Sequence, residues 1–466
     1  MNDTIAAIAT PYGSGGIGVI RVSGPEAMDI AAQIFSRTRT GTPPVGRLAS
    51  HRVYHGYVRD KADIIDEVLL IPMYGPKSYT AEDVVEIQAH AGTIVLKQIL
   101  ELLLSNGARL SEPGEFTKRA FLHQRIDLTQ AEAVADIINA RSVSALKFAA
   151  SQNMGVLKEQ IRTLRDKLIH LLSSVEVCID FPDDAEGLDV TVGGNEILDT
   201  VITQCKAFIQ QHEDACFLKE GIRIAICGKP NVGKSSLMNR LLTREKSIVT
   251  AMPGTTRDPI QDAVNMNGVP FVITDTAGIH DTDDLVEIIG IERAKDHIKD
   301  ADLILFMVEP GTVLSDREFE KMVPADKKII LVTNKIDLVQ DLEGREKPGR
   351  PPMPKLPDIC KNMPGIQISA LHDLGIKHLR EKIVYLCVRD LTMQNSAVIP
   401  NLRHKNALVQ ALGFLTSAKE NIKNMEPEET LAIDLKNSID SLGTITGETA
   451  SVDILDTIFN NFCIGK

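Results

Sequence analysis

Eight residues restrict the fold of this chain more than any other feature. Gly228-Lys229-Pro230-Asn231-Val232-Gly233-Lys234-Ser235 has the pattern G-x-x-x-x-G-K-[ST]. An apolar run, Ile222 to Cys227, ends just before it, and a helical pattern begins near Ser236. Strand, glycine-rich loop and helix in that order wrap backbone N–H groups around phosphates, with a lysine for the β- and γ-phosphates and a serine for Mg²⁺. That arrangement demands an open, mostly parallel α/β sheet. The rest of 221–385 agrees, because apolar runs at Phe271 to Thr274, Leu303 to Val308, Ile329 to Thr333 and Ile366 to Ile368 alternate with helical segments.

Further motifs follow these runs, at the carboxyl ends of the expected strands, where open α/β sheets bind ligands. Asp275-Thr276-Ala277-Gly278 offers a carboxylate to the Mg²⁺ shell. In Asn334-Lys335-Ile336-Asp337, the carboxylate of Asp337 can accept from both the ring N–H and the exocyclic amine of guanine, which adenine does not offer. Ser369, Ala370 and Leu371 would contact the base edge. With Asn231, Val232, Gly233, Lys234, Ser235 and Ser236 these define a GTP site. Between the first two motifs, Thr250, Ala251, Met252, Pro253, Gly254, Thr255 and Thr256, continuing into Arg257-Asp258, form a candidate switch loop in which a threonine, assigned as Thr256, can close over Mg²⁺ beside Ser235 when the γ-phosphate is present. The residue after Gly278 is Ile279, which cannot orient water as the glutamine of Ras does. Hydrolysis therefore needs another polar group, and His280, Asp281, Asp283, Asp284 and Glu287 are the candidates, while Arg257 could stabilise charge.

A chain of 466 residues has room for about three domains. Residues 1–120 mix short β-rich runs (Gly18 to Val22, Glu67 to Ile71, Val84 to Gln88) with a helix near Ile94 to Asn106, an α+β texture. Residues 121–220 turn helical: Leu128, Ala131, Ala135 and Ile138 repeat at three- and four-residue spacing, and Phe181-Pro182 breaks the pattern. After 221–385 the chain is helical again over 386–466. Helices on both sides of an α/β unit predict one helical domain split by an insertion; two separate helical domains are the alternative. Glu343 to Gly365 carries six prolines and several basic residues, which predicts a mobile surface loop without a regular element, solvated or touching RNA. Gly13, Gly15 and Gly18 satisfy G-x-G-x-x-G, but a strand-like run comes after and no strand is expected before, so the segment reads as a flexible turn.

Composition narrows the partners. A net charge of −12 argues against tight, autonomous nucleic-acid binding, which draws on Lys and Arg, and 4% aromatics with no Trp argues against a broad base-stacking platform. Seven cysteines without a C-x-x-C pair suit reduced thiols rather than zinc. No apolar run approaches the roughly 18 residues that cross a bilayer, and Met1 to Gly13 lacks a signal-peptide pattern, so the expected place is the cytoplasm.

Gly254-Thr255-Thr256-Arg257-Asp258, the residue after Asp275-Thr276-Ala277-Gly278 and the ending Phe462-Cys463-Ile464-Gly465-Lys466 together resemble the MnmE (TrmE) family of bacterial tRNA-modification GTPases. Ser78-Tyr79-Thr80-Ala81-Glu82-Asp83, Pro113-Gly114-Glu115-Phe116-Thr117, Gln130-Ala131-Glu132-Ala133 and Asp180-Phe181-Pro182 agree, so the resemblance spans the chain. It implies an α+β N-terminal domain of folate-binding type, an α-helical domain and an inserted α/β P-loop (Ras-like) GTPase domain. It further implies a homodimer formed through the N-terminal domain and a complex, a heterotetramer or larger, with the FAD-containing MnmG (GidA). That complex modifies C5 of the wobble uridine of certain tRNAs. The one-carbon unit comes from a tetrahydrofolate, 5,10-methylenetetrahydrofolate or 5-formyltetrahydrofolate, and the amine from glycine or ammonium. The GTPase domains of such proteins pair when K⁺ is bound. By this resemblance Asn231, Thr250, Met252 and Thr255 would hold K⁺, and Glu287 would be the catalytic carboxylate, acting through a bridging water. The folate site maps onto Arg21, Glu86, Arg125 and Lys466, with Arg125 standing where lysine is usual and Ala81 and Ala91 where glycine is usual. Cys463 is either a functional thiol near the folate or a packed tail residue. A ribosome-assembly GTPase of the Era or EngA kind is the competing reading and requires a basic KH-like domain after the GTPase unit. A folate-binding protein with a decayed GTPase unit is a third, opposed by Lys234, Asp275 and Asp337.

Overall fold

The computed structural model describes residues 3–11, 13, 15–40, 47–140, 142–181, 190–243, 262–266, 269–275, 297–324, 327–339, 350–388, 399–460 and 462–466. The first unit is built on β1 (Ile5–Ile8), β2 (Ile17–Ser23), α1 (Ala27–Ile34), β3 (Phe35–Ser36), β4 (Tyr54–Asp60), β5 (Asp63–Met73), β6 (Val84–His90), α2 (Thr93–Ser105) and β7 (Arg109–Leu110). Its strands lie in the order β3-β4-β5-β6-β2-β1-β7, antiparallel except for β1 with β7. Period-two alternation sends Ile20, Val22, Val85 and Ile87 into the core under α1 and α2, and leaves Arg21 and Glu86 on the other face. The glycine-rich segment near residue 15 does have a strand before it, β1, contrary to the sequence expectation. The chain then runs into β2, antiparallel to β1, and not into the helix a dinucleotide site needs. Gly18 lies within β2, where a Cβ would meet Leu96 Cδ1 at 2.6 Å, so its smallness serves helix packing rather than a flexible turn.

Helices α3 (Glu115–Leu122), α4 (Leu128–Asn139), α5 (Val143–Asn153), α6 (Val156–Asp180) and α7 (Val190–Glu220) come next. Asp127 starts α4 with a capping box: its side chain accepts from the Gln130 N–H while the Gln130 side chain returns to the Asp127 N–H. The chain leaves α7 for β8 (Ile222–Gly228), followed by α8 (Lys234–Thr243), β9 (Asp262–Met266), β10 (Val269–Asp275), β11 (Leu303–Val308), α9 (Asp316–Met322), β12 (Lys328–Thr333), β13 (Gly365–Gln367) and α10 (Ile376–Val388). Strand order is β13-β12-β11-β8-β10-β9, parallel but for the β9 edge. β11 and β12 are apolar along both faces because two cores sandwich them, one including α8 and α10 residues and one including Phe319 of α9.

The chain re-enters the helices with α11 (Leu402–Asn424), α12 (Glu428–Thr446) and α13 (Val452–Phe459). Leu157, Leu164 and Leu171 of α6 and Val201 of α7 share one buried core with Leu408 and Leu415 of α11 and Leu435 and Leu442 of α12. Helices from before and after the α/β unit thus form a single bundle, the split domain expected, and not two separate ones. No KH-like sheet follows the α/β unit among the described residues.

The proline-rich segment corrects the expectation of a free loop in its described part. Lys355 N–H donates to Thr312 O at 2.8 Å, Leu314 N–H returns to Lys355 O at 3.1 Å, and Asp358–Asn362 makes a short 3₁₀ turn that buries Cys360 against Phe319. Residues 340–349 lie outside the described residues. α3 runs across position 120 and α10 across position 385, so two of the three expected junctions fall inside helices, and the third, at 220/221, falls between α7 and β8.

Candidate functional site

The loop from Gly228 to Gly233 is shaped by two close approaches. Gly228 (φ +148°) would place a Cβ 2.3 Å from Met307 O of β11, and Gly233 (φ +97°) would place one 2.4 Å from Asn334 Nδ2. No larger residue fits at either position without moving backbone or the Asn334 amide. Asn231 between them also has positive φ, +59°. Val232 is buried in the sheet core, so it anchors the loop and offers the ligand only backbone. Lys234, Ser235 and Ser236 open α8, with their N–H groups at a helix N-terminus. The Lys234 ammonium folds back over the loop, donating to Gly228 O at 3.0 Å and Lys229 O at 3.1 Å.

Asn334 joins the two halves of the site. Its Nδ2 donates to Val232 O at 2.7 Å and its Oδ1 accepts from Ala370 N–H at 3.0 Å, both buried. Lys335 turns the chain through φ +61° and its ammonium sits 2.5 Å from Glu309 Oε2. Asp337 Oδ1 accepts from Ser369 Oγ at 2.6 Å. Ser369 is wholly buried and Ala370 nearly so; only Leu371, 71% exposed, is open to a base. The Ser369 hydroxyl thus points to Asp337 from a buried position and not to the surface. Arg240 of α8 was invisible to sequence reasoning: it donates to Ala370 O at 2.8 Å and Leu371 O at 2.7 Å, holding the base loop against the helix that follows the phosphate loop. Nothing local marks it, because its partners lie about 130 residues away. At the end of β8 the Cys227 thiol is pushed up to about 12 by burial and is a core residue, not a nucleophile. Asp275 closes β10 in register with Ile226 of β8. Thr250, Ala251, Met252, Pro253, Gly254, Thr255, Thr256, Thr276, Ala277, Gly278 and Glu287 lie outside the described residues.

The second cluster draws on both ends of the chain. Arg21 of β2 and Glu86 of β6 are cross-strand partners, bonded through Nε at 2.9 Å and Nη2 at 2.7 Å. The Arg21 guanidinium also lies 4.9 Å from the Tyr79 ring centre and 5.6 Å from that of Phe116. Arg125 stacks on the same Tyr79 ring at 5.1 Å and donates to Tyr79 O at 2.9 Å. Lys466 arrives from the far terminus. Burial first, then the nearby Arg21 charge, pushes its ammonium below its ordinary value, with Glu86 opposing. Gly465 (φ +91°) lets the tail lie on β1, where a Cβ would be 2.5 Å from Ile8 O. Phe459 and Phe462 pin the tail against Leu128 and Ala131, and Lys118 pairs with Asp456 at 2.7 Å. Cys463 is exposed, which overturns its reading as a packed thiol.

The structure thus links Arg21 to Glu86, sets the Lys466 ammonium near both, and places Arg125 on the Tyr79 ring that Arg21 also covers. Arg21 Nη1 is buried with no hydrogen-bond partner. An unpaired donor among cationic side chains suits an acidic ligand bearing acceptor oxygens. The Tyr79 loop is held by a network that patterning could not reveal. Tyr79 Oη lies 2.9 Å from Thr117 Oγ1, and fully buried Arg119 reaches Glu82 at 3.2 Å, Glu115 at 3.0 Å and Asp3 at 2.8 Å. Although burial alone would lower it, these carboxylates raise the guanidinium's affinity for its proton. Ala81 takes φ +62° in this loop, a conformation that favours glycine, which gives a physical reason for the residue that the resemblance leads one to expect there.

A parallel sheet with a phosphate loop at one strand end and a buried-serine-held Asp337 at another defines a guanine-nucleotide-binding protein of the P-loop class. The family profile described as the MnmE helical domain matches residues 128–463, and that described as the GTP-binding protein TrmE N-terminus matches residues 4–125. The tRNA modification GTPase MnmE of Carboxydothermus hydrogenoformans is 43% identical over the full length of both chains. That of Clostridioides difficile is 44% identical, again over all of both chains. A crystal structure of Aquifex aeolicus Era bound to GDP·AlF₄⁻ covers 41% of this chain and 66% of that one, with 26% identity and a TM-score of 0.28. The chain belongs to the MnmE family of tRNA modification GTPases.

Proposed function

We propose that this chain hydrolyses GTP in the course of tRNA wobble-uridine modification and that its N-terminal unit holds a tetrahydrofolate. The observation that carries the reading is that Arg21 binds Glu86, shares the Tyr79 ring with Arg125 and has the Lys466 ammonium close by, on a chain that also bears a guanine-nucleotide site. A bound 5,10-methylenetetrahydrofolate would supply a one-carbon unit. This chain's part is to accept from the pterin ring with Glu86 and to neutralise folate carboxylates with its cations.

In the nucleotide site Lys234 takes the β- and γ-phosphates and Asp337 reads guanine. Ser235 and Thr256 hold Mg²⁺; the place of Ser235 in the first turn of α8, beside Lys234, supports its part. Asn231, Thr250, Met252 and Thr255 hold K⁺, of which Asn231 lies among the described residues and offers an amide oxygen of the hard kind that K⁺ prefers. Such an ion supplies positive charge to the phosphates where other GTPases use an arginine. Glu287 orients the attacking water through a bridging water, a task closed to Ile279. The units run 1–120, 121–220, 221–385 and 386–466 in outline, with the first and third extended to the ends of α3 and α10. Two copies pair through their N-terminal units, their GTPase units meet face to face, and the FAD-bearing MnmG completes the complex with tRNA. No helix among the described residues is long and apolar enough to cross a membrane, and the cytoplasm is the proposed location.

GTP turnover measured in KCl and in NaCl tests the cation: we expect at least about tenfold faster turnover in KCl, and equal rates would remove K⁺ from the site. Glu287→Ala should lower turnover at least about tenfold, roughly 1.4 kcal/mol in barrier, with GTP affinity kept; a full-rate variant excludes this carboxylate. For the folate, Arg21→Ala should weaken calorimetric binding of 5-formyltetrahydrofolate, and unchanged affinity refutes the assignment.

A further inference from the structure

We infer that Glu132, Arg403 and His404 form the joint through which the nucleotide state of the GTPase unit sets the seat of the C-terminal tail; its link to ligand binding rests on the folate reading above. The three meet where the chain returns from the α/β unit to the bundle. Ile399 is 1% exposed and belongs to the same core as Ile224, Phe271 and Leu379 of the GTPase unit. One residue later Pro400 O accepts from His212 Nδ1 of α7 at 2.6 Å, and Asn401 caps α11. Two and three residues after that cap, Arg403 and His404 grip the Glu132 carboxylate of α4. Arg403 donates through Nε at 2.8 Å and Nη2 at 2.9 Å, and His404 Nε2 lies 2.8 Å from Oε2. The Asn401 N–H donates to His404 Nδ1 at 3.1 Å, and His404 Nε2 lies between Glu132 Oε2 at 2.8 Å and Arg403 Nη2 at 2.9 Å.

The same guanidinium reaches a third helix. Arg403 Nη1 donates to Thr444 O at 2.6 Å and Nη2 to Ile445 O at 3.0 Å, in the last turn of α12. His404 is fully buried and the Glu132 side chain is 11% exposed. Burial opposes the charge on Glu132, but hydrogen bonds from Arg403 and His404 and the Arg403 charge hold the carboxyl below its ordinary range. A buried carboxylate shared by two partners cannot release one of them cheaply. A shift at Ile399 therefore carries α4 and the end of α12 with it instead of dissipating.

What α4 touches next is the tail. Leu128 and Ala131, one turn and one residue before Glu132, pack on Phe459 and Phe462. Gly447, just past α12, is so close that a Cβ would lie 2.8 Å from Phe121 and 2.9 Å from Leu128. Four residues beyond Phe462 is Lys466, beside Arg21 and Glu86. Glu132 and Arg403 touch neither nucleotide nor folate residues; they are positioning residues, acting through the α4–tail contact.

The test uses the full-length chain. Affinity for 5-formyltetrahydrofolate is measured by calorimetry in KCl with GDP, then with GDP and aluminium fluoride. In the wild type the two affinities should differ at least about fivefold, the lower end of ordinary coupling between sites. In Glu132→Gln and in Arg403→Lys, which keeps charge but loses the planar fork, the ratio should fall to within twofold of one while GDP affinity is kept. The lysine variant decides the matter if the glutamine variant does not fold. A merely structural ion pair would lower Tm and leave the ratio standing, and a wild-type ratio of one or variants with the wild-type ratio overturn the joint. If the wild type binds no folate in either state, the folate reading fails by itself. Hydrogen exchange of residues 459–466 then judges the joint alone: a difference between the two nucleotide states in the wild type that both variants lose upholds it, and no difference overturns it.

Discussion

Gly465→Ala tests whether the seated tail completes the proposed folate site. The glycine takes φ +91°, and a Cβ there would lie 2.5 Å from Ile8 O and 3.0 Å from Ala9 Cα. Both are backbone atoms, and Ile8 is paired with Ile20 in the sheet, so the neighbour cannot yield as a flexible side chain would. Left-handed backbone alone costs an L-residue about 1–2 kcal/mol. The contact adds to this, and because the segment is a chain terminus the easiest relief is for Gly465 and Lys466 to lift away. A penalty of about 2 kcal/mol shifts the seated-to-lifted ratio about 30-fold. Apparent affinity falls with the seated fraction. Calorimetry of the full chain should therefore show the Kd for 5-formyltetrahydrofolate rising at least about tenfold, the tail's own preference for its seat absorbing the rest. GTP turnover without folate should stay within about twofold, since the nucleotide site uses none of these residues. Gly413→Ala is the matched control: a Cβ there meets nothing within 4 Å, so folate affinity should not change. An alanine variant at 465 that binds folate like the wild type would refute the reasoning.

The geometry fixes three further outcomes. Asn334→Ala strands two buried groups, Val232 O and Ala370 N–H, each at about 1–3 kcal/mol, so GDP affinity should fall at least about tenfold in calorimetry; a smaller loss would mean the two loops hold without it. Asp337→Asn should weaken GTP by at least about 100-fold and favour xanthosine triphosphate, because the amide can donate to a 2-oxo group where the carboxylate only accepts; retained guanine preference in competition binding would show that Asp337 does not read the base. Asp127 has its carboxyl raised, by burial first, and Oδ2 has no hydrogen-bond partner. The native state therefore keeps its proton to higher pH than the unfolded chain and loses stability as pH rises from the ordinary value, 3.8, through the raised one. Asn keeps the cap, so Asp127→Asn should raise Tm at pH 7 and do so less at pH 3; an equal gain at both would exclude the buried charge as cause.

Much of this protein could be read without coordinates, for reasons of locality. The phosphate loop, Asn334 to Asp337 and the strand ends that carry them are short-range patterns: glycine spacing, an apolar run and a cap dictate backbone within a few residues. The split bundle was readable from helical texture on both flanks. Resemblance, not patterning, supplied Arg21, Glu86, Arg125 and Lys466, since nothing in the chain between them signals that they meet. Tertiary structure alone decided that Ser369 points to Asp337 from a buried position, that Arg240 braces the base loop, that fully buried Arg119 steadies the Tyr79 loop, and that Glu132 joins the bundle to the return of the α/β unit. It also tied down the proline-rich segment around residue 355 and exposed Cys463. The physical reason is the same throughout. Local sequence sets backbone preference, because the groups that compete for each φ and ψ are near neighbours. Which charge is buried, and against what, depends on residues hundreds of positions apart arriving at one place.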